Sequence, residues 1–240
     1  MKYAFVTGAS RGIGRQIALD LLKSGCFVIA NYRESEQDML EARKAFLKIS
    51  EKFTFFKADM SCYDDVMTTC ERLSSTYDGL DYLILNCGAT SRIPFGNITQ
   101  DEWQSTFNAN VSMPFFLVQG LKDKIRHDGR IIFVGSILGI VPHSVSIPYG
   151  VSKASQHMLV KYLVNHFAPQ RITVNAIAPG FVDTLWHSGK SADLIARISG
   201  KISLGRFAEV SEISHACMFL IENPYVTGQV VIVDGGYCFN

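Results

Sequence analysis

Tyr149 and Lys153 stand four residues apart in the stretch "YGVSK", a phenol and an ammonium that a helix would set on one face. A free phenol titrates near pH ~10 and is a poor proton donor at neutral pH. A cation beside it, able to depress that pKa, is what acid–base work by a tyrosine requires. Ser136 lies thirteen residues earlier, at the end of the run "GRIIFVGS", so its hydroxyl would face the start of that helix from a strand end. Alone, the Tyr–Lys pair is also what an ordinary helix surface offers. A second stretch bears on it: "TGASRGIG", Thr7 to Gly14, sets Gly8, Gly12 and Gly14 around Arg11. Gly8 would permit a tight turn after a strand, and Gly12 and Gly14 would let backbone N–H groups at a helix start approach a pyrophosphate. The spacing is G-x-x-x-G-x-G rather than the G-x-G-x-x-G of the general dinucleotide fingerprint. The same glycines would also serve a plain turn that packs a helix on a strand.

The elements that would position these residues alternate along the chain. Short β-rich apolar runs ("YAFVT", "CFVIANY", "FTFFKA", "DYLILN", "GRIIFVGS", "RITVNAIA", "QVVIVDGG") are separated by segments of helical period. The helices are expected from Ile13 to Ser24, through Met39 to Ile49, from about Asp101 to Arg126, and from about Tyr149 to Phe167. Strands that read as continuous apolar runs with helices between them imply a parallel sheet covered on both faces. The expected architecture is a Rossmann-type, doubly wound α/β fold in a single domain spanning residues 1–240. Its ligands would bind beyond the carboxyl ends of the strands, where the glycine turn and Ser136 both fall. The stretch 181–204, rich in Ser, Gly and Lys, interrupts the alternation and is the candidate lid.

Composition narrows the partners. The chain has 240 residues, 48% of them apolar, and a net charge of +1 with basic residues scattered. That supports one sizeable core and argues against nucleic acid or a membrane surface as partner. Six cysteines at unrelated spacings, without a C-x-x-C pair, predict reduced and mostly buried thiols, with neither a disulfide framework nor a metal site. The longest apolar run, "IIFVGSILGIV", is too short to span a bilayer. The first strand begins at about Lys2, leaving no room for a secretory signal, so a cytoplasmic location is expected.

In these stretches the chain resembles the short-chain dehydrogenase/reductase family over essentially its whole length. The matching motifs, in the family's order, are "TGASRGIG", "KAD" ending at Asp59, "NCG" at Asn86 to Gly88, "NANV" with Asn110, "GS" with Ser136, "YGVSK" and "APGFVDT". The resemblance implies a catalytic tetrad of Asn110, Ser136, Tyr149 and Lys153. Tyr149 would protonate a carbonyl oxygen that Ser136 polarises. Lys153 would hold the nicotinamide ribose and lower the tyrosine pKa, and Asn110 would anchor a water relay. For the cofactor the resemblance implies the turn residues Gly8, Ser10, Arg11, Gly12, Ile13 and Gly14. Asp59, with Met60, would meet the adenine, and Asn86 and Gly88 the adenosine ribose. Pro179, Gly180, Val182 and Thr184 would seat the nicotinamide, with Trp186 and His187 shaping the substrate entrance. The chain departs from the family's Asn-Asn-Ala-Gly at "LNCG", where Leu85 and Cys87 replace an asparagine and an alanine; Cys87 is small enough to stand in as a core thiol. His157, one turn beyond Lys153, is read as helix packing.

Charge argues the cofactor choice. The position after the second strand reads "ANYRES", and Arg33, helped by Arg11, would clamp a ribose 2′-phosphate, which points to NADP(H). If that strand ends later, Glu34 would face the ribose and invert the preference. Within the family, "SLGRFAEVSEIS" and "YVTGQVVIVDGGY" are similar to the 3-oxoacyl-(acyl-carrier-protein) reductases of fatty-acid synthesis. That resemblance implies a homotetramer and a carrier-bound ketone, with Lys124, Arg126 and Arg171 as candidate docking residues for an acidic acyl carrier protein. The alternatives are reduction of another small ketone (hydroxysteroid, sugar or quinone) and a nucleotide-sensing protein without turnover.

Overall fold

The computed structural model describes residues 1–142 and 146–239, apart from the side chain of His187. The apolar runs become strands because their side chains are needed on both faces. Along β1 (Tyr3–Val6), Ala4 and Val6 enter one buried cluster while Phe5 enters the other. β4 (Leu80–Leu85) repeats this, with Tyr82 and Ile84 on the first side and Leu83 and Leu85 on the second. The other strands are β2 (Phe27–Tyr32), β3 (Phe53–Lys57), β5 (Ile125–Val134), β6 (Thr173–Pro179) and β7 (Val230–Val233). Among the described residues they form one seven-stranded sheet in the order β3-β2-β1-β4-β5-β6-β7, every pair parallel. The winding reverses between β1 and β4, opening a crevice at their carboxyl ends.

Helices α1 (Gly12–Lys23), α2 (Glu36–Leu47) and α8 (Val210–Glu222) cover the first face, where Ile17, Leu21, Phe46 and Leu220 are fully buried. Ser214 of α8 donates to Asp20 of α1 at 2.7 Å, fastening those two helices together. Helices α3 (Tyr63–Thr76), α5 (Met113–Gly120) and α6 (Ile147–Phe167) cover the second face through Leu73, Leu117 and Phe167. Burying each such side chain contributes about 1.5–3 kcal/mol.

The helix expected from about Asp101 to Arg126 is three pieces. α4 (Gln100–Phe107) widens into a π turn at Asn108–Ser112, where the Met113 N–H bonds the Asn108 carbonyl, and α5 then ends at Gly120. Strand β5 begins at Ile125, so Arg126 lies in a strand rather than a helix. The stretch between "FTFFKA" and "DYLILN" forms α3, which the apolar pattern alone does not mark. The stretch 181–204 leaves β6, pairs Val182 with Ala208, and carries a turn at Leu185–His187 and α7 (Ala192–Ser199), none of whose residues is buried.

The amino rim of the sheet is closed by charge. Lys2 meets the Tyr82 hydroxyl at 2.6 Å, Arg126 meets Asp81 at 3.0 Å, and Arg171 grips Asp128 with two 2.7 Å bonds. Lys124, Arg126 and Arg171 therefore sit at the starts of β5 and β6, on the rim away from Ser136, and both arginines are already paired. No helix among the described residues is long and apolar enough to cross a membrane. The six cysteines are free, but only Cys26, Cys70 and Cys217 are buried, and Cys62 is exposed.

Candidate active site

The crevice is built around Thr7. Its hydroxyl accepts from the backbone N–H groups of Asn86 at 2.8 Å and Cys87 at 3.0 Å, tying the end of β1 to the end of β4. Gly8 and Gly12 adopt left-handed φ values of 63° and 56°, and a Cβ at Gly14 would stand 2.3 Å from the Gly8 carbonyl, so the turn closes only on glycine. Arg11 caps α1 without a side-chain hydrogen bond, and the first turn holds no acid. Its N–H groups therefore face the crevice without a protein anion to neutralise them, which suits a phosphate. Asn31, at the end of β2, accepts from the Gly8 N–H at 3.1 Å and donates to the Ala58 carbonyl at 3.0 Å. It holds the turn to β3, a role the sequence signals only as one polar residue inside "FVIANY".

Several of the residues expected to meet the cofactor are held by bonds within the protein. The Asn86 side chain donates to the Thr7 and Gly8 carbonyls at 3.0 and 3.2 Å, so it braces the turn. Asp59 accepts from the Ser61 N–H at 2.8 Å and hydroxyl at 2.6 Å. Met60 is buried in the core of the second face. Ser10 is buried and Ile13 half-buried at the turn. Gly88 lies against the catalytic cluster, where a Cβ would come within 2.9 Å of the Asn110 side chain. On the far wall Thr184 faces Gly12 and caps Trp186, Val182 is buried, and Gly180 lies so close to Asp234 that a Cβ would meet its Cα at 2.8 Å. Pro179 ends β6 beside them.

At the corner between β2 and α2, β2 ends at Tyr32, so Arg33 is the first residue beyond it. Arg33 pairs with Glu34 at 3.0 Å and approaches Asp59 at 4.0 Å, while Arg11 reaches Asp38 at 3.4 Å. Both arginines are well exposed, and Glu34 faces its neighbouring guanidinium.

The tetrad residues come together beyond β5. Ser136 follows the strand in an extended conformation close to Tyr149, which stands in the first turn of α6, and its hydroxyl accepts from the Leu138 N–H at 3.2 Å. Burial raises the phenol above its ordinary pKa, and the Ser136 hydroxyl opposes this. Lys153 lies 5.8 Å from the Tyr149 ring centroid, and its Nζ donates to the Val134 carbonyl at 2.7 Å. Burial pushes this ammonium down to about 7. The expected depression of the phenol by Lys153 is thus absent here: desolvation dominates, and the ammonium points at a carbonyl. Asn110, in the π turn, is fully buried; its side chain closes two 2.9 Å bonds with Ala89 and a third with the Ser152 hydroxyl. Its backbone carbonyl accepts from Gln156 at 3.0 Å. His157 packs under Gly135 and Gly139, the glycines flanking Ser136, and burial drives its pKa down to about 4. Cys87 is pushed up to about 11 by burial, so it is a neutral thiol. Over the site, the Trp186 ring lies 6.2 Å from Tyr149, and Arg92 donates to the Trp186 carbonyl at 3.0 Å, joining the segment after β4 to that after β6. The arrangement offers a neutral acid with a second hydroxyl beside it.

A protein-family model described as "Enoyl-(Acyl carrier protein) reductase" matches residues 8–238. The chain is 33% identical over 240 residues to a 3-oxoacyl-(acyl-carrier-protein) reductase from Staphylococcus epidermidis, covering 98% of both chains. It is 31% identical over 254 residues to a hydroxynaphthalene reductase-like protein from Metarhizium robertsii, covering 98% of this chain and 94% of that one. Among solved structures, an angucycline C-6 ketoreductase with bound NADP superposes with a TM-score of 0.93 at 29% identity, covering 100% of this chain and 96% of the other.

Proposed function

The chain belongs to the short-chain dehydrogenase/reductase family and is an oxidoreductase, and from that premise we propose that it reduces a ketone to a secondary alcohol with NADPH. The observation that carries this reading is the Ser136–Tyr149 pair beside Lys153, at the carboxyl rim next to the glycine turn. The uncapped start of α1 would receive the pyrophosphate, and Arg33 would meet the 2′-phosphate in exchange for Glu34. Pro179, Gly180, Val182 and Thr184 would line the nicotinamide side. When bound, NADPH supplies the hydride. Ser136 Oγ and the Tyr149 hydroxyl converge on the ketone oxygen, and Tyr149, kept protonated by burial, gives its proton to the developing alkoxide. Trp186 and the segment 181–204 would close over the substrate and exclude water.

The likeness to the Staphylococcus epidermidis enzyme supports a 3-oxoacyl group on acyl carrier protein as substrate, with a place in cytoplasmic fatty-acid synthesis. A second reading, an aromatic or polycyclic ketone, is favoured by the Trp186 ring facing Tyr149 and by the likeness to the hydroxynaphthalene reductase-like protein and the angucycline C-6 ketoreductase. The test is oxidation of NADPH, followed by absorbance, with acetoacetyl thioesters, naphthol-type and steroid ketones, quinones and sugars. Turnover of the thioester well above the others supports the first reading, and the reverse order supports the second. Tight NADPH binding with no turnover across the panel would replace both with a nucleotide-sensing protein.

A further inference from the structure

Gln156 lies one turn beyond Ser152 and Lys153 on the same face of α6 as Tyr149, and it is fully buried. Its Oε1 accepts from Lys153 Nζ at 3.3 Å while its Nε2 donates to the Asn110 carbonyl at 3.0 Å. The amide orientation is fixed by these partners. Flipping it would set an NH2 group against the ammonium and an oxygen against a carbonyl. The far end is equally fixed, because Asn110 bonds Ser152 Oγ at 2.9 Å and Ser152 Oγ donates to the Tyr149 carbonyl at 2.7 Å. The bonds run from Tyr149 through Ser152, Asn110 and Gln156 back to Lys153. We propose that Gln156 is a positioning residue that aims the Lys153 ammonium, tying it to the Asn110 carbonyl through the protein's own amide. The role of Lys153 in reduction rests on the function proposed above; the aiming itself does not.

The cluster makes the aiming measurable. The groups facing Lys153 are Cys87 from the segment after β4, the Val134 carbonyl from β5, Asn110 from the π turn, and Tyr149 and His157 from α6. His157 is pushed down to about 4, Cys87 up to about 11, and Tyr149 above its ordinary value. Between pH ~5 and ~9 Lys153 is then the group of this cluster that changes charge. Removing an acceptor disfavours the ammonium, whereas a carboxylate in its place favours it.

The experiment follows the Lys153 ε-carbon of the unliganded protein by NMR through that range, assigned by its loss in Lys153→Met. Gln156→Met should lower the midpoint by about one unit and Gln156→Glu should raise it by roughly one to three. With NADPH saturating, the alkaline limb of kcat/KM should move in the same two directions. Midpoints unchanged, or displaced in one direction by both variants, overturn the proposal; if Gln156→Met fails to fold, Gln156→Glu decides alone. Failure of every ketone to turn over would remove the proposed function while leaving the NMR result to stand by itself.

Discussion

At the scale of single residues, the phenol of Tyr149 is asked to do one thing, and deleting its oxygen isolates it. Tyr149→Phe should lower kcat by about two to four orders of magnitude, because a positioned proton donor supplies that much. The dissociation constant for NADPH, read by fluorescence, should stay nearly constant; near-normal kcat would overturn the mechanism. Arg33 makes a different claim. It stands first beyond β2 and is held by Glu34 at 3.0 Å, so Arg33→Ala should weaken NADPH about tenfold or more while NADH changes little. Equal loss for both cofactors would show the clamp misplaced. Tyr149, Lys153 and Ser136 were legible in the sequence because helix spacing and a strand end suffice to bring them together. Gln156 was not, since its value depends on a carbonyl that the π turn presents from a distant segment. The bracing of the glycine turn by Asn86 is equally invisible there, because spacing cannot show that Thr7 and Gly8 offer it two carbonyls.

At the scale of elements, the glycine turn shows how a loop can be rigid. A methyl at position 14 would stand 2.3 Å from the Gly8 carbonyl oxygen and 2.5 Å from the Asn86 amide nitrogen, which is itself held by two carbonyls. Gly14→Ala should cost about 1–3 kcal/mol in urea unfolding, whereas Gly96→Ala, with open space around its Cβ, should cost far less. Equal losses would mean that the contact at Gly14 relaxes. The alternation of strands and helices, and hence the parallel sheet, could be read from the apolar runs. The break in the helix between Gln100 and Gly120 could not, because a π turn changes the backbone bonding of a single turn and neither Gly nor Pro marks it at Asn108–Ser112. Helix α3 escaped because only Val66, Thr69, Cys70 and Leu73 of its fourteen residues are buried, leaving a thin apolar stripe in a polar stretch.

At the scale of the molecule, one side of α6 remains without cover. Val151, Met158 and Tyr162 follow one another along that helix, all exposed, Tyr162 at 79%. A monomer gains nothing by leaving such a stripe in water, and we propose it as a contact between copies of this chain. Met158→Glu combined with Tyr162→Glu should shift sedimentation to smaller species, since it would place charges in an apolar contact. An unchanged assembly would locate the contact elsewhere. The parallel sheet has a further consequence through its two unlike rims. One is laced by Arg126–Asp81 and Arg171–Asp128; the other carries Ser136, Trp186 and the joined segments above them. Heritable change can therefore fall on the two rims separately. A library randomised at residues 90–98 and 185–191 leaves the laced rim intact, and its survivors should diverge in appetite long before they diverge in durability.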